Sequence, residues 1–393
     1  MNVLPDADQL SIQRAVAEFL QEECPPALVR SCEKEQAGYS RTLWQKFAEL
    51  GWLTLCLPQE YGGQGLPLAY LGLVLEEAGR RIAPLPLLST LLPSVLIAKY
   101  GDDEQRALLH RVGRGELILC YAVTEASGVW QVDQIECEAR QEDDCLVLNG
   151  TKYFVDNFLD AAQCLVACRM VDGSGKSKLR AILVDTDAPG ITIERLEPLA
   201  KDGECVVTLV DVRVPQANIL GAPGRRGEVV AEMMDLAAAL VVPLMQGAAR
   251  QAMELAVAYV NQREAFGQPI GGFQAIQHMA ADMLNAVDGT QLLSREAIWR
   301  IGAGLPAAVE ISQAKAFANE RCLMVCRAAQ QMHGGLGFIE DCDINLWYRR
   351  VASWSLRAGT VYEHRERVAH ALLDVPGKVR LDVPVLLPEQ VQA

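Results

Sequence analysis

No run in the chain is apolar enough to suggest a membrane span: the longest, LAAALVVPLM, falls well short of the roughly 20 residues a bilayer needs. The opening MNVLPDADQL has neither a basic n-region nor an apolar core, so no secretory signal is expected. Positive charge is scarce. With 36 Lys and Arg against 50 Asp and Glu, the net charge of −14 argues against a nucleic-acid or anionic-membrane surface. A local basic patch can still serve an anionic ligand. There are only 5 histidines, none paired at metal-ligand spacing, and the 12 cysteines include no CxxC. They are scattered singly apart from Cys164/Cys168 and Cys322/Cys326, so no metal site and no disulfide framework are expected. Free buried thiols and a cytoplasmic location are the reading.

What is present is a change of period along the chain. Residues 1–118 read as a helical domain: DQLSIQRAVAEFLQEE and YSRTLWQKFAELGWLTL repeat apolar residues at helical spacing. DDEQRALLHRVGRGE adds acids at a helix start and bases at its end. Over 119–222 the segments are short and β-like: CLVLNGTKYFV, CLVACRM, LRAILVDT, ITIERL and CVVTLVDVRV. Asn149-Gly150 predicts a hairpin turn, and the lack of intervening helices predicts an antiparallel sheet. Residues 223–374 return to helices suited to an antiparallel bundle, with Pro243 predicting a kink or break in the first. The proline-broken 375–393 reads as an arm or tail. The fold class expected is α+β, a helical domain, a β domain and a four-helix bundle.

Four stretches carry candidate chemistry. In NQREAFGQPIGGFQAIQ, Arg263 stands at the end of a helix before the Phe266-Gly267 turn. An Arg held there can fork onto a phosphate, or simply interact with the helix C-terminus. QQMHGGLGF is a Gly-rich helix exit that either caps the helix or exposes N–H groups to an anion. YAVTEASGVW opens the β region, and LNGTKYFVDN leads into an aromatic strand.

In this order and spacing the four stretches resemble the acyl-CoA dehydrogenase family over essentially the whole chain. The family's RxxFG-x-PI and following FQ are matched by Arg263, Phe266, Gly267, Pro269, Ile270, Phe273 and Gln274. Its Q-x-x-GG-x-GF is matched by Gln331, Gly334, Gly335, Gly337 and Phe338, and the distance on to Gly359-Thr360 fits without a gap. The resemblance implies FAD as cofactor, an acyl-CoA thioester as substrate, an electron-transfer-flavoprotein-like acceptor and a tetramer. Arg263 and Phe266, with Gln274 beside them, would reach the FAD of a neighbouring subunit, with Arg263 on its pyrophosphate. Gln331, Gly334 and Gly335 would line the adenosine–pyrophosphate portion, with Thr360 nearby. Tyr121, Val123 and Thr124 would run beside the flavin ring, and Phe154 would pack on its face.

The departures bear on the chemistry. The family's TEP-x-AGSD reads TEASGVWQ here, which puts contacts near Ser127 and Gly128 in doubt. Asp156 stands where a flavin-contacting Thr or Ser is common. Family members remove an α-proton with a carboxylate at one of two positions. Those positions are Ala358 and Ala237, and a methyl group accepts no proton. Glu363, Asp235 and Asp156 are the remaining acids nearby. Thr360-x-x-Glu363 also has the form of a capping box, and Asp235 faces a different side of its helix from Ala237. Three outcomes stay open: a base supplied by a second family chain in a heterotetramer, a flavin monooxygenase-like relative, or a non-catalytic flavoprotein subunit.

Overall fold

The computed structural model describes residues 3–35, 37–171 and 177–374, so the expected tail at 375–393 lies outside the described residues. The chain begins with helices α1 (Ala7–Glu23), α2 (Pro26–Cys32), α3 (Arg41–Glu49), α4 (Leu68–Arg80), α5 (Leu87–Tyr100) and α6 (Asp103–Gly113). Local chemistry sets their starts. Asp102 accepts from Gln105 N at 2.9 Å while the Gln105 side chain accepts from Asp102 N at 3.2 Å, a reciprocal cap that satisfies two orphan donors of α6.

The strands are β1 (Leu119–Ala122), β2 (Glu138–Glu142), β3 (Cys145–Asp156), β4 (Gln163–Val171), β5 (Ser177–Asp185), β6 (Ile191–Arg195) and β7 (Glu204–Pro215). They form one sheet in the order β1-β4-β2-β3-β7-β6, with β5 on β4. The sheet is mixed rather than wholly antiparallel: β4 pairs parallel with both β1 and β2. Asn149-Gly150 is not a turn. It lies inside β3 at a register shift, where a Cβ on Gly150 would come within 2.8 Å of the Cys137 sulfur. The β2–β3 turn falls instead between Glu142 and Cys145, with Asp143 left-handed at φ 54°.

The third region opens on α7 (Arg226–Gln262), then a two-residue hairpin of β8 (Glu264–Ala265) and β9 (Gln268–Pro269). Helices α8 (Gln274–Gly302), α9 (Ala308–His333), α10 (Ile344–Trp354) and α11 (Val361–Ala369) follow. The expected break at Pro243 does not occur; α7 runs through it for 37 residues. Its apolar run from Leu236 to Val242 is buried on every side, which explains why no amphipathic stripe is visible there. Two glycines let α4 and α7 touch backbone to backbone. A Cβ on Gly247 would lie 1.8 Å from Glu76 O, and one on Gly79 would lie 2.1 Å from Leu244 O. That contact locks the first helical region onto the bundle.

Candidate active site

A cavity of about 380 Å³ opens where the sheet meets the turn between α10 and α11. Its walls include Tyr121 of β1 with Val123 and Thr124 just after it, Tyr153, Phe154 and Asp156 of β3, Leu199 and Glu204 before and at the start of β7, and Leu356, Arg357 and Ala358 of the turn. Two wall residues are held in left-handed backbone that only glycine adopts without strain, Phe154 at φ 55° and Ala358 at φ 53°. At Phe154 the cause is a second register shift in β3, between Lys152 and Val155, which turns the ring outward to 53 % exposure.

The edge beside Phe154 is braced from behind. The fully buried Lys152 donates from Nζ to Val123 O at 3.2 Å and to Glu125 Oε1 at 2.6 Å. Glu125 in turn accepts from Cys137 N at 2.9 Å and Glu136 N at 2.6 Å. Every charge in this pair therefore has several partners, the condition under which burying it is tolerable. Together with Tyr153 N on Thr124 O at 2.9 Å, it fixes the backbone of Val123–Thr124 against β3.

The floor is a charge cluster on Arg357. Nη1 donates to both Asp156 oxygens, at 2.8 and 2.7 Å. Nη2 donates to Asp202 at 2.9 Å and to Glu204. Burial pushes the Asp156 carboxyl up to about 6, against the pull of Arg357. Burial also works to raise Asp202, but Arg357 and Arg350 outweigh it and hold that carboxyl below the usual range. Among the described residues these three acids form the one group with metal-ligand spacing, and Arg357 already supplies their cation.

The turn carrying Ala358 is held from the bundle side. His364 donates from Nε2 to Ala358 O at 2.8 Å, with Nδ1 3.3 Å from Ser312 Oγ. Asn319 donates to Gly359 O at 3.1 Å, and the fully buried Lys315 donates to Trp354 O at 3.1 Å and to Asn319. Burial drives Lys315 down to about 7 and His364 down to about 4, so the imidazole is neutral at physiological pH.

Of the residues singled out in the sequence, Tyr121, Val123, Thr124, Phe154, Asp156 and Ala358 come together in the cavity. Ala237 does not: it is 0 % exposed within α7 and lines no part of the cavity. Thr360 and Glu363 make the reciprocal cap of α11. Glu363 Oε1 also accepts from Trp130 N at 2.6 Å, while Oε2 accepts from Thr360 N at 2.8 Å. Asp235 is paired with Arg367 at 2.8 Å. Arg263, Phe266, Gln274, Gln331, Gly334 and Gly335 lie outside the cavity and are exposed, Phe266 at 96 %. The rings of Tyr259 and His333 stack 4.5 Å apart, which joins the C-terminal ends of α7 and α9. Arg263 and the Gly334-Gly335 pair therefore project from the same end of the bundle.

Sequence reasoning missed the residues that shape the site without matching a motif. Arg357, one position before Ala358, and its partners Asp202 and Glu204 are separated by about 150 residues. Lys152 was the one readable signal, a lone cation inside an apolar strand. Lys315, Asn319 and His364 sit on helix faces that look ordinary in sequence.

The cavity suits a planar ring system. It offers the Phe154 face, a braced run of backbone at Val123–Thr124 and a polar floor, and it is too small to take a dinucleotide whole. Three family models match in succession: the acyl-CoA dehydrogenase N-terminal domain over 6–116, the middle domain over 120–210 and the C-terminal domain over 225–373. The chain is similar to a probable acyl-CoA dehydrogenase, YngJ, of Bacillus subtilis, with 29% identity covering 95% of this chain and 100% of that one. It is 28% identical to the human mitochondrial short-chain specific acyl-CoA dehydrogenase, covering 94% of this chain and 91% of the other. Among solved structures, a variant of the Tcur3481-Tcur3483 steroid ACAD has a TM-score of 0.84 at 30% identity, covering 92% of this chain and 96% of that one.

Proposed function

Because this chain belongs to the acyl-CoA dehydrogenase family of flavin oxidoreductases, we propose that it binds FAD and serves α,β-dehydrogenation of an acyl-CoA thioester as the subunit that lacks the base. The observation that carries this reading is the state of the two base positions. Ala358 reaches the cavity with a methyl group, and Ala237 is sealed inside α7. Among the described residues, the acids nearby are already engaged. Glu363 is committed to two backbone N–H groups, Asp235 to Arg367 and Asp156 to Arg357. A second family chain bearing the carboxylate completes the reaction, in a heterotetramer that passes electrons to an electron-transfer-flavoprotein-like acceptor.

FAD supplies the hydride acceptor. In this chain Phe154 and Tyr121 would hold its ring, and the backbone at Val123 and Thr124 would offer it polar groups. The exposed end carrying Arg263, Phe266, Gln274, Gln331, Gly334 and Gly335 would hold the phosphate and adenosine portion across a subunit boundary. The solved relative named for two chains, Tcur3481 and Tcur3483, is in keeping with a paired assembly. A cytoplasmic location fits the same reading, and among the described residues no helix is long and apolar enough to cross a membrane.

The test is anaerobic bleaching of bound flavin by a panel of straight, branched and steroid-derived acyl-CoA thioesters. The chain alone is expected to bleach very slowly at best, because a general base contributes about 10²–10⁴-fold. A co-purifying family chain with Glu at either position is expected to restore it. Robust turnover by this chain alone sinks the shared-site reading. Oxygen-dependent hydroxylation with supplied reduced flavin points instead to the monooxygenase-like relatives.

A further inference from the structure

Asp156 is the acid that the site's chemistry has not yet used. It ends β3 in the cavity wall, on the side of Tyr121 and Phe154, and its side chain keeps 20% exposure. The charged and titratable groups around it come from every neighbouring element. Arg357 faces it from the α10–α11 turn and Arg350 from α10. Asp202 and Glu204 face it from the start of β7 and the loop before it, and Tyr121 from β1. Two guanidinium groups thus stand against three carboxylates, leaving one negative charge in surplus. Asp202 is bound by Arg357 and by Arg350 at 3.5 Å, and Glu204 is almost fully buried on Arg357. Asp156 shares only Nη1 of Arg357, and of these acids it is the one best placed to meet a ligand in the cavity.

We propose that Asp156 is a redox-linked proton acceptor, taking up one proton when a flavin in this cavity is reduced and releasing it on reoxidation. This rests on the FAD reading above. Two-electron reduction at neutral pH adds one proton to the flavin and leaves its ring with one negative charge. A carboxylate beside that charge, in a site already carrying a surplus negative charge, gains a proton because like charges at short range disfavour ionisation. The balance is two electrons and one proton to the ring and one further proton from solvent to the Asp156 carboxylate, with Arg357 left to Asp202 and Glu204. Burial already raises this carboxyl to about 6 in the chain itself. A Thr or Ser at this position would carry no charge, so the link depends on the carboxylate of Asp156.

The midpoint potential of the FAD-loaded assembly, measured spectroelectrochemically between about pH 6.5 and 8, reads this directly. Each proton taken up with two electrons lowers the potential by about 30 mV per pH unit. The unaltered protein is expected to fall by about 59 mV per unit, and Asp156→Asn by about 30 mV per unit. Asp156→Thr carries the same comparison if the Asn variant binds FAD poorly. A slope near 30 mV per unit in the unaltered protein, or near 59 in both variants, overturns the proposal while leaving FAD binding intact. If neither the chain nor its assembly with a companion chain retains FAD, the functional reading itself falls and the proposal with it.

Discussion

Replacing Glu363 by Gln separates a structural carboxylate from a catalytic one. The two oxygens do different jobs. Oε1 accepts from Trp130 N at 2.6 Å and Oε2 from Thr360 N at 2.8 Å, tying the loop after β1 to the first turn of α11. Glutamine has one acceptor, so one backbone N–H must face its amide NH₂. A hydrogen bond to a charged group is worth about 1.5–3 kcal/mol, and partial solvent access at Glu363 puts the expected loss toward the lower end. Burial works to raise the carboxyl, but the N–H groups of Trp130 and Thr360 outweigh it and hold it below the ordinary range. The stabilisation is therefore fully present at neutral pH and is lost as pH falls through the depressed folded value. Chemical denaturation of both proteins at neutral pH and near pH 4 should show the gap shrinking on acidification. Activity of the assembled enzyme should stay within a few-fold. A loss of about three orders of magnitude with an intact fold would make Glu363 the base and refute the reasoning.

Three further outcomes follow from the same geometry. Arg357→Met leaves Asp156, Asp202 and Glu204 without their shared cation and should cost about 3–5 kcal/mol at neutral pH. In that variant the clustered acids bind protons more tightly folded than unfolded, so its stability should rise on mild acidification; a pH-independent loss in denaturation would count against the cluster. His364 is held neutral by burial, with its folded value lowered to about 4, so its contribution is complete above the ordinary imidazole range and is lost as pH falls toward 4. His364→Gln should flatten stability across that window, and an unchanged slope would assign the acid sensitivity elsewhere. Arg263→Ala should weaken FAD retention roughly ten- to hundredfold, the worth of one charge-assisted pair to phosphate, and a fully yellow variant of unchanged affinity would remove Arg263 from the cofactor site.

The sequence made the architecture legible because two changes of hydrophobic period mark the passage from helices to strands and back to helices. It misled where tertiary context overrides a local signal. Asn149-Gly150 has the composition of a hairpin turn, yet β3 needs 12 residues to pair along β7, and the Gly is consumed by a bulge that passes close to Cys137. Pro243 should disturb a helix, but α7 is enclosed by neighbours and continues through it. Parallel pairing of β1 and β2 with β4 has no signature in any single strand. In the site, two short motifs carry residues that line one cavity, Tyr121, Val123 and Thr124 from one and Phe154 and Asp156 from the other. The charges that tune them were invisible, since Arg357 and Glu204 meet across 153 residues.

The two alanines now read differently from each other. Ala358 keeps the left-handed backbone at φ 53° and the support of His364 behind its carbonyl. A non-glycine residue bears that conformation at a cost of order 1–3 kcal/mol, so the surroundings must hold it in place. Lys315, Asn319 and His364 together satisfy the carbonyls of Trp354, Ala358 and Gly359, and all three side chains are buried. Position 358 is thus held firmly at the cavity wall, and the side chain it presents there is a methyl. At Ala237 the helix has instead closed over, with Leu236 through Val242 packed out of reach of the cavity. A carboxylate returned to position 358 would enter a prepared site, whereas one returned to position 237 would be buried without a partner, at several kcal/mol. The two positions therefore differ physically: only position 358 lies at the cavity, so only there would a substituted carboxylate meet a cavity ligand.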